Sequence, residues 1–180
     1  CVTRRQRQMC IRDSFWSEIF SNPANKSNLA GINASAILEA SREKIEQNLF
    51  LKNKKVIFTS GATESNNLAL LGFARNYYKK TGNYGHIITL KTEHKAVLEP
   101  LNKLKKEGFK VTEINPEKDG LISEEQFKKN IREDTFMVSV MLANNEIGVI
   151  QPVENISKIC KSRGITFHSD FAQCLGYIEL

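Results

Sequence analysis

The sequence predicts an α/β domain with a mostly parallel sheet flanked by helices. Segments of strand length alternate with segments of helical periodicity along most of the chain. The runs Val56-Ile57-Phe58 and Phe136-Met137-Val138-Ser139-Val140-Met141 are nearly continuous in apolar character, as strands covered on both faces are. A length of 180 residues suits one well-buried domain and is short for two.

Phe15 to Phe20 reads as the tail of a helix, followed by a polar, turn-rich loop over Asn22 to Asn28. A helix is expected from about Ser35 to Leu49, with Leu38, Ile45 and Leu49 on one face. Lys55 to Thr59 reads as the first strand. A helix over about Ala62 to Lys79 brings Leu68, Leu71 and Tyr78 together. His86 to Leu90 is the second strand. Lys95 to Lys106 is a helix interrupted or restarted at Pro100, because proline suits a first turn better than an interior. Lys110 to Ile114 is a strand, Ser123 to Ile131 a helix and Phe136 to Ala143 a strand. Val153 to Lys161 is a helix with Pro152 near its start, and Ile165 to Ser169 closes the pattern as a strand. Cys160 shares a helix face with Ile156 and is expected in the core.

Composition narrows the classes. Hydrophobic residues are 41% and charged residues 26%, ordinary for a soluble globular chain. No apolar run approaches the length of a transmembrane helix. Four cysteines, two of them in the first ten residues, do not form a secreted disulfide framework. The net charge of +6 is concentrated, since Arg4, Arg5, Arg7 and Arg12 against Asp13 supply half of it. Residues 4–14 can be encoded by a string resembling a widely used transposase sequencing adapter. Residues 1–14 are therefore expected to be a non-native leader, and residues 15–180 the domain. Without the leader the chain is mildly basic, with a cytoplasmic location expected. A small basic nucleic-acid-binding protein is the alternative from another class. It rests mainly on those same leader residues, since no basic stripe interleaved with aromatics follows them.

In parallel sheets the ligand site lies beyond the carboxyl ends of the strands. After the first strand, Thr59-Ser60-Gly61-Ala62-Thr63-Glu64 has the composition of an anion cradle at a helix start, or of a plain N-cap. The dinucleotide and P-loop glycine patterns are absent. After the second strand, His94 is placed to stack on a flat ligand or move a proton, or simply to cap a helix. Asn144 and Asn145 follow the fourth strand as ligand contacts or as an Asn-rich turn. His168 and Asp170 follow the fifth on one face, where the carboxylate can pair with a cationic ring nitrogen. A metal pair is the rival reading, but no further ligand sits at suitable spacing, so no metal is expected.

Five stretches together resemble the amino-terminal half of NifS-like cysteine desulfurases in the class V aminotransferase family. They are Asn22-Pro23, the segment Phe58 to Asn67, Glu93-His94-Lys95-Ala96-Val97, Asn144-Asn145-Glu146-Ile147-Gly148 and His168-Ser169-Asp170-Phe171-Ala172-Gln173, in the family's order over residues 15–180. The resemblance implies the fold type I of pyridoxal 5'-phosphate (PLP) enzymes, here part of the large domain. It implies that Ala62 and Thr63 hold the cofactor phosphate and that His94 stacks on the ring and serves in proton transfer. Asp170 would pair with the pyridinium, while Asn145 and Gln173 would bond around the phenolic oxygen and the substrate carboxylate.

The implied reaction converts L-cysteine to L-alanine and an enzyme persulfide. A sulfur-acceptor protein or scaffold, iron-sulfur cluster assembly and a homodimeric parent follow from the same resemblance. Neither nucleic acid nor membrane is expected as a partner. A selenocysteine lyase of the same family is the nearer alternative. The family's Schiff-base lysine, in a Ser-x-His-Lys pattern, is expected downstream of Leu180, and the persulfide cysteine beyond it. Lys95 and Cys174 are expected to be non-catalytic.

Overall fold

The computed structural model describes residues 20–49 and 55–174. The described chain divides into two compact units, with the boundary between Phe58 and Thr59. Residues 1–14, and all of the expected first helix except Phe20, lie outside the described residues.

The first unit contains helix α1, Leu29–Asn48. It begins six residues before the expected start because Asn28 caps it, accepting Gly31 N–H at 2.7 Å. Gly31 is required there, since a Cβ would lie 1.9 Å from Asn25 O. Leu38, Ile45 and Leu49 are each half-buried, as the periodicity indicated. Residues 55–59 do not form the expected strand. They carry no regular structure, with Ile57 66% and Phe58 44% exposed. The physical reason is pairing: an apolar run becomes a strand only beside another, and no strand among the described residues bonds to this one.

The second unit is a four-stranded parallel sheet in the order β2-β1-β3-β6, with helices on both faces. Its strands are β1 (His86–Leu90), β2 (Lys110–Ile114), β3 (Thr135–Ser139) and β6 (Thr166–His168). Helices α2 (Ala62–Thr81) and α3 (Lys95–Glu107) supply one covering layer, and α4 (Glu124–Asn130) and α5 (Val153–Ser162) the other. Strand alternation divides the core accordingly. Ile87 and Met137 meet Leu70, Ala74, Val97, Leu101 and Leu104, whereas Ile88 and Val138 meet Phe127, Ile156 and Cys160. Cys160 is fully buried, and burial pushes its thiol up to about 11.

Three further expectations need correction. Helix α3 runs unbroken through Pro100, which is buried and removes one hydrogen bond without ending the helix. The inward face of α2 is Asn66, Leu70 and Ala74, with Tyr77 stacked on Phe136 at 3.9 Å. Leu68 and Tyr78 stay 52% and 39% exposed, because apolar spacing on α2 allowed two faces and the Phe136 ring selected the other. Finally, β3 ends at Ser139. The apolar stretch beyond it stays bonded to the chain after β6, Val140 N–H donating to His168 O at 3.1 Å and Leu142 N–H to Asp170 O at 3.2 Å, and then enters a hairpin, β4 (Ala143–Asn144) against β5 (Val149–Ile150).

Candidate active site

The carboxyl ends of β1, β3 and β6 are laced together by side chains in the turns that follow them. Asp170, 8% exposed, sits two residues past β6. Its Oδ2 accepts from Asn66 Nδ2 at 2.8 Å and its Oδ1 from Ala172 N–H at 2.8 Å. Asn66 lies one helical turn beyond Thr63, so the first turn of α2 and the end of β6 are held at the same end of the sheet.

Of the two readings the sequence allowed for that first turn, capping is the one its hydrogen bonds show. Glu64 Oε2 accepts from Ser60 N–H and Ser60 Oγ, each at 2.6 Å, which is a capping arrangement. These bonds hold the Glu64 carboxyl below its ordinary range. Gly61, the N-cap, contributes no side chain, and a Cβ there would meet open space. The N–H groups of Ala62, Thr63 and Glu64 open the helix, where no intrahelical acceptor exists for them.

His94 is the N-cap of α3, its Nδ1 accepting Ala96 N–H at 3.1 Å. The capping bond fixes the ring while leaving the residue exposed. His94 and Thr63 line one cleft of about 550 Å³ between α2 and α3, together with Asn67, Lys95, Glu99 and Lys103. Arg75 of α2 clasps Glu107 of α3 through two hydrogen bonds of 3.1 and 2.5 Å, bracing the helices that form the cleft.

Of the residues singled out in the sequence, Thr63 and His94 share this cleft, and Asp170 is joined through Asn66 to the helix carrying Thr63. Ala62 is exposed at the head of that helix. Asn145 lies exposed in the hairpin loop, and Gln173 exposed in the turn after Asp170. Neither is brought into hydrogen-bond contact with the others. His168 turns to β3, its Nδ1 sharing a 2.8 Å bond with Ser139 Oγ. Burial lowers its affinity for a proton, only partly offset by Asp170. Among the described residues no group of three or more His, Cys, Asp or Glu side chains is arranged to hold a metal. Lys95 is exposed at the start of α3, and Cys174 is buried, with burial pushing its thiol up.

Asn66 and Glu93, inside the motif stretches, had no assigned role in the sequence, and Asn144, read there as a ligand contact or part of an Asn-rich turn, forms the turn. Asn66 holds Asp170. Asn144 builds the hairpin turn, its Oδ1 accepting Glu146 N–H at 2.8 Å and Ile147 N–H at 3.1 Å, while its Nδ2 donates to Thr92 O. Glu93, 5% exposed, accepts Met141 N–H through Oε1 at 2.8 Å. The signal available in sequence was position: polar residues directly after strands, or one turn beyond a cradle.

Comparison with known proteins bears on the family. The profile of the class-V aminotransferase family matches residues 8–180. Cysteine desulfurase IscS of Ehrlichia chaffeensis is 50% identical over 161 residues, which is 89% of this chain and 38% of that protein. The structure of DndA from Streptomyces lividans superposes with a TM-score of 0.85 at 41% identity, covering 96% of this chain and 48% of that one. SspA, solved in complex with cysteine, superposes at 0.83 with 34% identity, covering 93% and 47%. The chain thus spans less than half the length of these relatives. It belongs to the class-V aminotransferase family.

Proposed function

We propose that this chain is the cofactor-binding segment of a PLP-dependent cysteine desulfurase. The whole protein would take L-cysteine to L-alanine and pass the sulfur, through an enzyme persulfide, to an acceptor protein. The observation that carries the reading is the buried Asp170 carboxylate, held by two donors at the carboxyl end of the sheet and tied to the helix that presents Thr63. The named relatives support the same activity, and the bound cysteine of SspA supports the substrate.

The residues present fit PLP by their chemistry. The opening N–H groups of α2 and the Thr63 hydroxyl are donors for a phosphate at the positive end of the helix dipole. Gly61 leaves that approach open. Each Asp170 oxygen accepts one protein donor and retains a lone pair for a ring N–H. When bound, PLP supplies an electron sink for negative charge developing at the substrate Cα. Asp170 would sustain it by keeping the ring nitrogen protonated. His94, its Nδ1 fixed by Ala96 N–H, offers a ring face for stacking and Nε2 for moving a proton. Asn145 and Gln173 would orient the phenolic oxygen and the substrate carboxylate.

Site-directed variants of the full-length protein test the reading. Asp170→Ala should abolish the visible absorbance of bound PLP and cut alanine formation by orders of magnitude. His168→Ala, which loses a bond to Ser139 only, should retain most of both. Equal losses from the two variants would refute the assignment of Asp170.

A further inference from the structure

Glu93 is a buried ionisable group near this site that no step above uses. It lies in the turn between β1 and α3, immediately before His94. Its Oε1 takes Met141 N–H, and its Oε2 is buried without a hydrogen-bond partner among the described residues. Val140 and Leu142 on either side of Met141 still donate to His168 O and Asp170 O, but β1 ends at Leu90. No strand among the described residues therefore serves the Met141 N–H from the other side, and a buried N–H without an acceptor is costly. One residue on, Leu142 N–H donates to Asp170 O at 3.2 Å. A continuous path therefore runs from the His94 turn through Glu93, Met141 and Leu142 to Asp170, and on to Asn66 of α2.

We propose that Glu93 is a positioning residue of this site, holding the turn that carries His94 in register with Asp170 through its bond to Met141 N–H. The backbone bond requires only an oxygen acceptor, so charge is not what the position uses. Burial, with Asp170 as the neighbouring negative charge, raises the Glu93 carboxyl to about 8, so it is mostly uncharged at neutral pH. An uncharged acid there leaves Asp170 as the one anion offered to the cofactor ring. The assignment to cofactor positioning rests on the PLP reading of the site, whereas the mechanical tie does not.

The test uses Glu93→Ala and Glu93→Gln in the full-length protein. Hydrogen–deuterium exchange is followed by mass spectrometry over residues 91–97 and 139–143, with 110–114 as reference, beside equilibrium titration with PLP. Glu93→Ala is expected to speed exchange in the first two segments about tenfold, as loss of one buried hydrogen bond implies, with the reference unchanged. PLP binding should weaken by a similar factor. Glu93→Gln keeps a carbonyl acceptor and should restore both. Unchanged exchange over 91–97 in Glu93→Ala, an equal rise in the reference segment, or failure of Gln to rescue would each overturn the proposal. Should the alanine variant not fold, Glu93→Gln decides alone: wild-type exchange and affinity sustain the role, and about a tenfold loss in either overturns it. If the wild-type protein binds no PLP, the cofactor reading fails, while exchange over 91–97 still decides whether Glu93 holds the His94 turn.

Discussion

Replacing Glu93 by glutamine should change the pH dependence of stability in a defined direction. In the unfolded chain the carboxyl titrates near 4.5, and in the folded chain near 8. A group whose folded value is raised contributes stability that is fully present below the unfolded value and lost as pH rises through the folded one. Between pH 4.5 and 8 the unfolded chain releases this proton while the folded chain retains it. At about 1.4 kcal/mol per pH unit, the wild-type protein loses roughly 5 kcal/mol over that window on account of Glu93. Glutamine has no proton to lose, so the variant should be spared this loss. Its amide nitrogen takes the place of Oε2, equally without a partner among the described residues, so any offset that this exchange adds is independent of pH below 8. The difference in slope is therefore the readout. Urea unfolding of both proteins at intervals from pH 5 to 9 should give curves that diverge steadily in favour of Glu93→Gln and become parallel above about pH 8. Parallel curves throughout would mean that Glu93 is ionised in the folded protein and that its burial has been misjudged.

His86 should govern the acid side. Its ring bridges Thr135 and Thr112 at 2.8 Å each, and burial, reinforced by Arg132, pushes its value down from 6.5 to about 4. The stability it provides is present above pH 6.5 and lost as pH falls to 4, by roughly 3 kcal/mol. His86→Gln should flatten urea-unfolding stability across that interval. Asn66→Ala, which removes one donor from Asp170, should weaken PLP affinity in the full-length protein by about tenfold without altering the far-ultraviolet spectrum. The 180-residue chain contains no Ser-x-His-Lys sequence, and incubated with L-cysteine and PLP it should yield no alanine above a PLP-only control.

The alternation of β1, α3, β2, α4, β3, α5 and β6 was legible because each element carries its own period, and α3 and α4 also carry capping residues. Ser123 before α4 and Gly108 at φ 113 after α3 are local signals. Lys55 to Thr59 was not, because strand formation depends on a neighbour that local sequence does not describe. The inward face of α2 was misread for a related reason: Ala74 and Asn66 give weak hydrophobic signals, and Tyr77 earns its place only by stacking on Phe136. At the site, residue identity pointed to Thr63, His94 and Asp170. Their supports, Asn66 and Glu93, became visible only through hydrogen bonds to residues 104 and 48 positions away.

The central claim is that one end of this sheet holds PLP between the start of α2 and Asp170. A crystal structure of the full-length protein with PLP tests it most directly. The account predicts the phosphate within hydrogen-bond reach of the N–H groups of Ala62 and Thr63, the pyridine nitrogen at an Asp170 oxygen and the His94 ring against the cofactor face. A phosphate seated instead on Lys103 and Lys106 of the cleft, with Asp170 still bonded only to Asn66 and Ala172, would contradict it.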